Sequence, residues 1–284
     1  MSTVDYSLDE LMIVTMAHQL QGEYLVSSVT AFGAIAALVA QKTHAPELAV
    51  LATPESGMEV TPLPTLTLGQ FLTDVQRGIP LTMEEIFDAI FCDLFRIWIN
   101  PAQIDQFGNV NISSIGPWEK PKVALVGSRG IPEDTSHLSQ IFYYVLHHNT
   151  RSVVSQVDFR SGAGNGLERE QDLGRSGAPS LLVTDLGVFD FSGPGGSMAV
   201  VTLHPGVSPD TVRERTGFDL IIPDDVPKTP APTLKELEII RGADPLEVRK
   251  LELLAGEEAA LKFVTIYERE RQALHVAWPA RSRH

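Results

Sequence analysis

The strongest limit on how this chain folds comes from two strand-like segments separated by one helix-length segment. "YLVSSV" (24–29) and "LAVLAT" (48–53) are rich in aliphatic and β-branched residues, and "AFGAIAALVAQ" (31–41) between them is apolar on nearly every side. Only a short loop at Thr30 precedes that helix. Parallel neighbours need a crossover of about this length, so the order reads as a βαβ unit in a parallel sheet. The second strand runs straight into Pro54, Glu55, Ser56 and Gly57. A carboxylate followed by glycine at a strand mouth is either a surface turn or an acid held on a rigid strand end for covalent chemistry.

The flanking segments extend this pattern. Ser7 and Glu10 have capping-box spacing ahead of a helix through about Leu20. "MEEIFDAIF" (83–91) is helical, with Ile86, Phe87 and Ile90 on one face. "RIWIN" (96–100), "KVALVG" (122–127) and "VVSQVDF" (153–159) read as strands. "SLLVTDLGVFDF" (180–191) reads as two strands about Asp185–Gly187, continued by "MAVVTLH" (198–204). Ser208 and Pro209 open a short helix closed at Gly217. Residues 58–82 read as an extended loop, 222–232 as a Pro-rich linker, and 233–242 and 245–278 as helices, the last outside the core.

With 284 residues, 43% of them hydrophobic, the chain can build a substantial core. No apolar run reaches the roughly 20 residues a membrane span needs, and the first residues lack a signal-peptide pattern, so the cytoplasm is the expected compartment. A net charge of −14 argues against nucleic acid as a partner. The single cysteine, Cys92, excludes an internal disulfide and sits between apolar neighbours, where a small buried side chain is expected. The adjacent His147 and His148 point apart and do not grip one ion, so no metal is expected; His204 reads as a structural strand-end residue.

Two polar stretches lie at expected strand ends. "NPAQIDQFGNVNISSIG" (100–116) places Gln103, Asp105, Gly108, Asn109 and Asn111 where open α/β sheets bind ligands, or where short side chains merely cap local backbone. "LVGSRGIPEDTSH" (125–137) places Arg129 among Gly127, Ser128 and Gly130. Such a bend is either an ordinary glycine turn or a cradle of N–H groups for an oxyanion or a phosphate.

Together "APELAVLATPESG" (45–57) and "AQIDQFGNVNISSIG" (102–116) resemble the beta subunits of the family I CoA-transferases, particularly glutaconate CoA-transferase. "GSRGIPEDT" (127–135), "LGVFDFSGPGGSM" (186–198) and "LHPGVSPDTV" (203–212) look more like the beta subunit of the CoA-ester hydrolases that open the last steroid rings in bacterial cholesterol breakdown. The transferases carry Gly-Gly in the stretch Ser128–Ile131, whereas the hydrolases carry an Arg there, as this chain does at Arg129. An ungapped alignment sets Thr53 against the transferase glutamate, and two inserted residues bring Glu55 into register.

The likeness runs from about Leu8 to Gly242. It implies the CoA-transferase fold: α/β, an open, mostly parallel central sheet flanked by helices over residues 1–242, with a helical extension over 243–284. It implies coenzyme A, as an acyl-CoA substrate, and an alpha subunit in a heterodimer or α2β2 assembly. As a transferase, Glu55 is the implied nucleophile, passing through a glutamyl-CoA thioester. Gln103, Gly108, Asn109, Gly127, Ser128 and Gly130 then serve the oxyanion or CoA. As a hydrolase or decarboxylase, Arg129 becomes central and the base lies on the alpha subunit. A non-catalytic scaffold completing a partner's site is the remaining reading.

Overall fold

The computed structural model describes residues 5–22, 24–27, 30–51, 81–165 and 177–277. Glu55 and most of the expected 58–82 loop lie outside the described residues. In chain order the first elements are α1 (Leu8–Ala17), β1 (Leu25–Ser27), α2 (Ala31–Thr43), β2 (Ala49–Leu51), α3 (Met83–Phe91) and β3 (Phe95–Ile99). Next come β4 (Gln103–Asp105), β5 (Val110–Asn111), β6 (Ser114–Ile115), β7 (Val123–Ala124), α4 (Ile131–His137), β8 (Ile141–Val145) and β9 (Val153–Val154). The remainder is β10 (Pro179–Thr184), β11 (Gly187–Gly193), β12 (Ser197–Leu203), α5 (Pro209–Arg215), α6 (Leu234–Ala243), a 3-10 turn (Val248–Leu253) and α7 (Gly256–Ala277). The chain divides into two compact units, 1–83 with 232–284, and 84–231.

In the first unit β1 and β2 pair in parallel across α2, as the strand–helix–strand order predicts. Phe32 through Ala40 of α2 are all buried, which is how a helix apolar on every side must sit. Each large side chain among them contributes roughly 1.5–3 kcal/mol by leaving water. The Glu10 carboxylate accepts from the Ser7 N–H at 3.0 Å, completing the expected capping geometry of α1. Thr233 and Glu236 form the same device on α6. Charge ties these helices together. The Arg249 guanidinium, 3% exposed, is held by Asp9 at 2.7 Å and Asp244 at 3.0 Å, while Arg241 donates two bonds to Glu10. A buried guanidinium is tolerable only when surrounded by such acceptors.

In the second unit the strand order is β12-β11-β10-β8-β3. The β3–β8 and β8–β10 pairs are parallel, and β10–β11–β12 form an antiparallel edge. The expected parallel centre is therefore present, and the meander read from 180–204 is its antiparallel flank. Trp98 stacks on Phe142 with ring centroids 5.0 Å apart, and every residue of β8 is buried. The Ser208 hydroxyl accepts from the Thr211 N–H at 3.1 Å and caps α5.

Three expectations are corrected. Cys92 is exposed: α3 ends at Phe91, a turn follows with Asp93 at φ 56°, and the flanking Phe91 and Leu94 are themselves more than half exposed. The strands expected over 122–127 and 153–159 shrink to two residues each. The helix expected over 245–278 breaks, because Glu247 and Gly256 both adopt left-handed backbone and separate the 3-10 turn from α7. Among the described residues no helix is long and apolar enough to cross a membrane.

His148 and His204 are buried and share Thr184. His204 Nε2 faces the Thr184 carbonyl at 2.8 Å and must donate, so its Nδ1 accepts from the Thr229 hydroxyl. The Thr216 hydroxyl donates to the Val212 carbonyl, so His148 Nε2 donates to Thr216 and its Nδ1 accepts from Thr184. Both rings are thus fixed neutral. Burial pushes His148 down to about 3 and His204 down to about 4. The unfolded chain takes up these protons near pH 6.5 while the folded chain refuses them. The stability they confer is therefore full above pH 6.5 and is lost as pH falls towards 4 and then 3. The slope is about 1.4 kcal/mol per pH unit for each ring. Urea unfolding from pH 7 to 4.5 should show His204→Asn making that slope shallower by about one proton.

Candidate functional site

In the second unit the β4–β5 hairpin opens from a turn built around one carboxylate. Asp105 Oδ1 accepts from the N–H groups of Phe107 and Asn109, both at 3.0 Å, and Oδ2 accepts from Asn109 Nδ2 at 2.9 Å. Asn109 Oδ1 then receives the Gly164 N–H at 2.9 Å. Burial pushes the Asp105 carboxyl up, with Asn109 and the two backbone donors opposing that rise. Gly108 has φ 78°, and a Cβ there would lie 2.8 Å from Pro179 Cβ and 2.9 Å from Phe191 Cε1. Gly108 and Asn109 thus serve a closely packed, internally satisfied turn, the local-capping alternative raised by the sequence.

The other end of the hairpin is organised by Asn111, which is 0% exposed. Its Nδ2 donates to Gln103 Oε1 at 2.8 Å and to the Ser114 carbonyl at 2.7 Å. Its Oδ1 accepts from the Ser113 and Ser114 N–H groups at 2.9 and 3.3 Å. All four hydrogen-bonding positions of the amide are engaged. Gln103 Oε1 also receives the Asp158 N–H at 2.9 Å. A backbone donor there fixes the amide's orientation and leaves Nε2 as its donor end.

The 127–130 bend is anchored to this hairpin by backbone and side chain. The Leu125 N–H donates to the Ser113 carbonyl at 2.9 Å and the Gly127 N–H to the Ile112 carbonyl at 3.1 Å. The Gly127 amide is therefore engaged and offers nothing to a ligand. The Ser128, Arg129 and Gly130 N–H groups bond to no acceptor among the described residues. Ser128 Oγ lies 3.0 Å from Ser113 Oγ, which lies 2.8 Å from Ser161 Oγ. Arg129 is exposed, forms no ion pair among the described residues and sits at φ 55°. A side chain in that backbone region costs roughly 1 kcal/mol or more, and such strain concentrates at functional positions.

Of the residues singled out by sequence, Gln103, Gly127 and Ser128 are tied to the 111–113 segment by hydrogen bonds, and Arg129 and Gly130 belong to the same bend. Gly108 and Asn109 hold the far turn, and Glu55 lies outside the described residues. The Ser113–Ser161 contact in this network carries no sequence signal, since the two residues lie 48 positions apart and meet only through the fold. Asp134 of α4 is a further buried acid, pushed up to about 7 by burial and by Glu133. Among the described residues no group of His, Cys, Asp or Glu is arranged to hold a metal.

The two glycines separate two costs. Gly127 has φ 87°, but nothing lies within 4 Å of the place a methyl carbon would take, so Gly127→Ala should lose only about 1 kcal/mol for backbone conformation. Gly108→Ala adds steric conflict and should lose about 3 kcal/mol in urea unfolding.

The family profile described as "Coenzyme A transferase" matches residues 82–215. The cholesterol ring-cleaving hydrolase IpdB subunit of Mycobacterium bovis is 32% identical over 235 residues, covering 82% of this chain and 92% of that protein. The B-type subunit of glutaconate CoA-transferase from Acidaminococcus fermentans is 29% identical over 249 residues, covering 84% and 92%. The crystal structure of IpdAB from Rhodococcus jostii RHA1 matches with a TM-score of 0.78 at 27% identity, covering 89% of this chain and 100% of the matched chain.

Proposed function

Since the chain belongs to the coenzyme A transferase family, we propose that it is the beta-type subunit of a cytoplasmic enzyme acting on acyl-CoA thioesters, completed by an alpha-type subunit. The observation that carries the reading is the Ser128–Gly130 bend. There, N–H groups and a guanidinium uncommitted among the described residues stand beside the hairpin of Gln103 and Asn111. A thioester carbonyl gains negative charge on oxygen when attacked, and donors fixed in advance stabilise that charge without reorganising. One such donor contributes about 3 kcal/mol, or a hundredfold or more in rate.

As a transferase, the Glu55 carboxylate attacks the thioester carbon and expels CoA thiolate, leaving a mixed anhydride. The thiolate then attacks the Glu55 carbonyl and releases the donor's carboxylate, so that CoA is held as a glutamyl thioester. An incoming carboxylate reverses both steps and leaves as the new CoA ester. One difficult exchange becomes two easier ones. The anhydride survives only where water is excluded.

A second reading, a CoA-ester ring-opening hydrolase or a decarboxylating relative, is favoured by Arg129. A permanently charged guanidinium holds a substrate carboxylate or enolate through two parallel bonds, and the general base then comes from the alpha-type subunit. Both readings place the acyl carbonyl at the same bend and differ in whether the acyl chemistry passes through the protein.

Incubating the two-subunit complex with acyl-CoA and then borohydride should modify Glu55 under the transfer reading, and Glu55→Ala should lose turnover by roughly a thousandfold or more. Turnover that survives Glu55→Ala excludes the nucleophile and leaves hydrolysis. Arg129→Ala should then lower kcat/KM by about a hundredfold.

A further inference from the structure

The serine chain beneath the bend has a direction that its own hydrogen bonds determine. Ser161 Oγ accepts the Ile112 N–H at 2.9 Å. Ser161 is 3% exposed, so its hydroxyl hydrogen cannot reach water and needs an acceptor inside the protein. The acceptor at hand is Ser113 Oγ, 2.8 Å away. With that lone pair occupied, the Ser113 hydrogen points to Ser128 Oγ at 3.0 Å. The reverse order would strand the Ser161 hydrogen in the interior. Ser113 itself is held firmly: its N–H donates to Asn111 and its carbonyl receives the Leu125 N–H. The chain ends at Ser128, which is only half-buried and has no second partner for its hydroxyl among the described residues.

We infer that the Ile112 amide, Ser161 and Ser113 form a one-way hydroxyl relay that presents the Ser128 O–H as a fixed donor to the carbonyl oxygen of a bound acyl group, with Ser113 and Ser161 as positioning residues. The carbonyl's identity as a CoA thioester rests on the function proposed above; the direction of the relay does not. Each hydroxyl that accepts a hydrogen bond becomes a better donor, so two buried links strengthen the outward one. The relay also restricts the Ser128 rotor before any ligand arrives, so less ordering is required on binding.

The test uses the protein copurified with its partner and a ketone analogue of acetyl-CoA, in which a methylene replaces the thioester sulfur and the carbonyl carbon is 13C-labelled. Free CoA is the control. On the wild-type protein the carbonyl resonance should move downfield. Ser128→Ala should remove the hydroxyl's share of that shift, leaving the share due to the backbone N–H groups of the bend, and should weaken ketone binding about fivefold more than binding of free CoA. Ser161→Ala should reduce the shift, and Ser161→Thr, which restores a hydroxyl, should recover it; a serine that only fills space would not show this rescue. A carbonyl shift unchanged by Ser128→Ala overturns the inference. A wild-type protein that binds neither CoA nor the ketone overturns the CoA reading instead. Neutron diffraction from deuterated crystals then decides the relay alone: deuterium on Ser161 directed at Ser113, and on Ser113 directed at Ser128, upholds it, and the opposite order refutes it.

Discussion

One side-chain amide holds together the irregular polypeptide from which the rest of the site is built. Between β5 and β6 the chain leaves regular strand pairing at Ile112 and Ser113, and the backbone there is too deeply placed for water to serve it. Asn111 supplies the missing partners by engaging both donors and both acceptor positions at once. Only a side chain with two of each can join Gln103 to Ser113 and Ser114 in this way. Aspartate in its place would bring acceptors to carbonyl oxygens, and leucine would strand buried N–H groups at about 1–3 kcal/mol each. Ser113 is positioned by this amide, and the bend at 127–130 is positioned in turn by Ser113 and Ile112.

This arrangement assigns different work to residues that look alike in sequence. Asp105, Gly108 and Asn109 belong to a turn closed on itself, buried against Pro179 and Phe191 and joined to Gly164. Their polarity serves local backbone. Gln103 and Ser128 have polar atoms fixed on one side by protein partners, which orients the other side. A stretch such as "QIDQFGNVN" mixes both kinds of residue within a few positions, and its ends diverge in role because the hairpin separates them in space.

The features legible in the sequence are those set by short-range pattern. The βαβ unit, the capping box at Ser7, and the meander from Pro179 to Leu203 follow from periodicity and spacing over a few residues. Apolar character misleads where it is taken to mean burial. Cys92 has apolar neighbours, yet the left-handed turn at Asp93 carries that end of α3 to the surface. The helix expected from Pro245 breaks for a similar backbone reason, at Glu247 and Gly256. Of the site, the glycine bend and its arginine are visible because they are contiguous. The Ser113–Ser161 link is not, since a hydrogen bond between residues 48 apart leaves no trace in local composition.

The left-handed conformation of Arg129 sets two selective pressures against each other. Glycine would occupy that backbone region freely, so the variant that most relaxes the polypeptide there is also the one that deletes the guanidinium. At this position backbone comfort and the guanidinium are therefore in direct opposition.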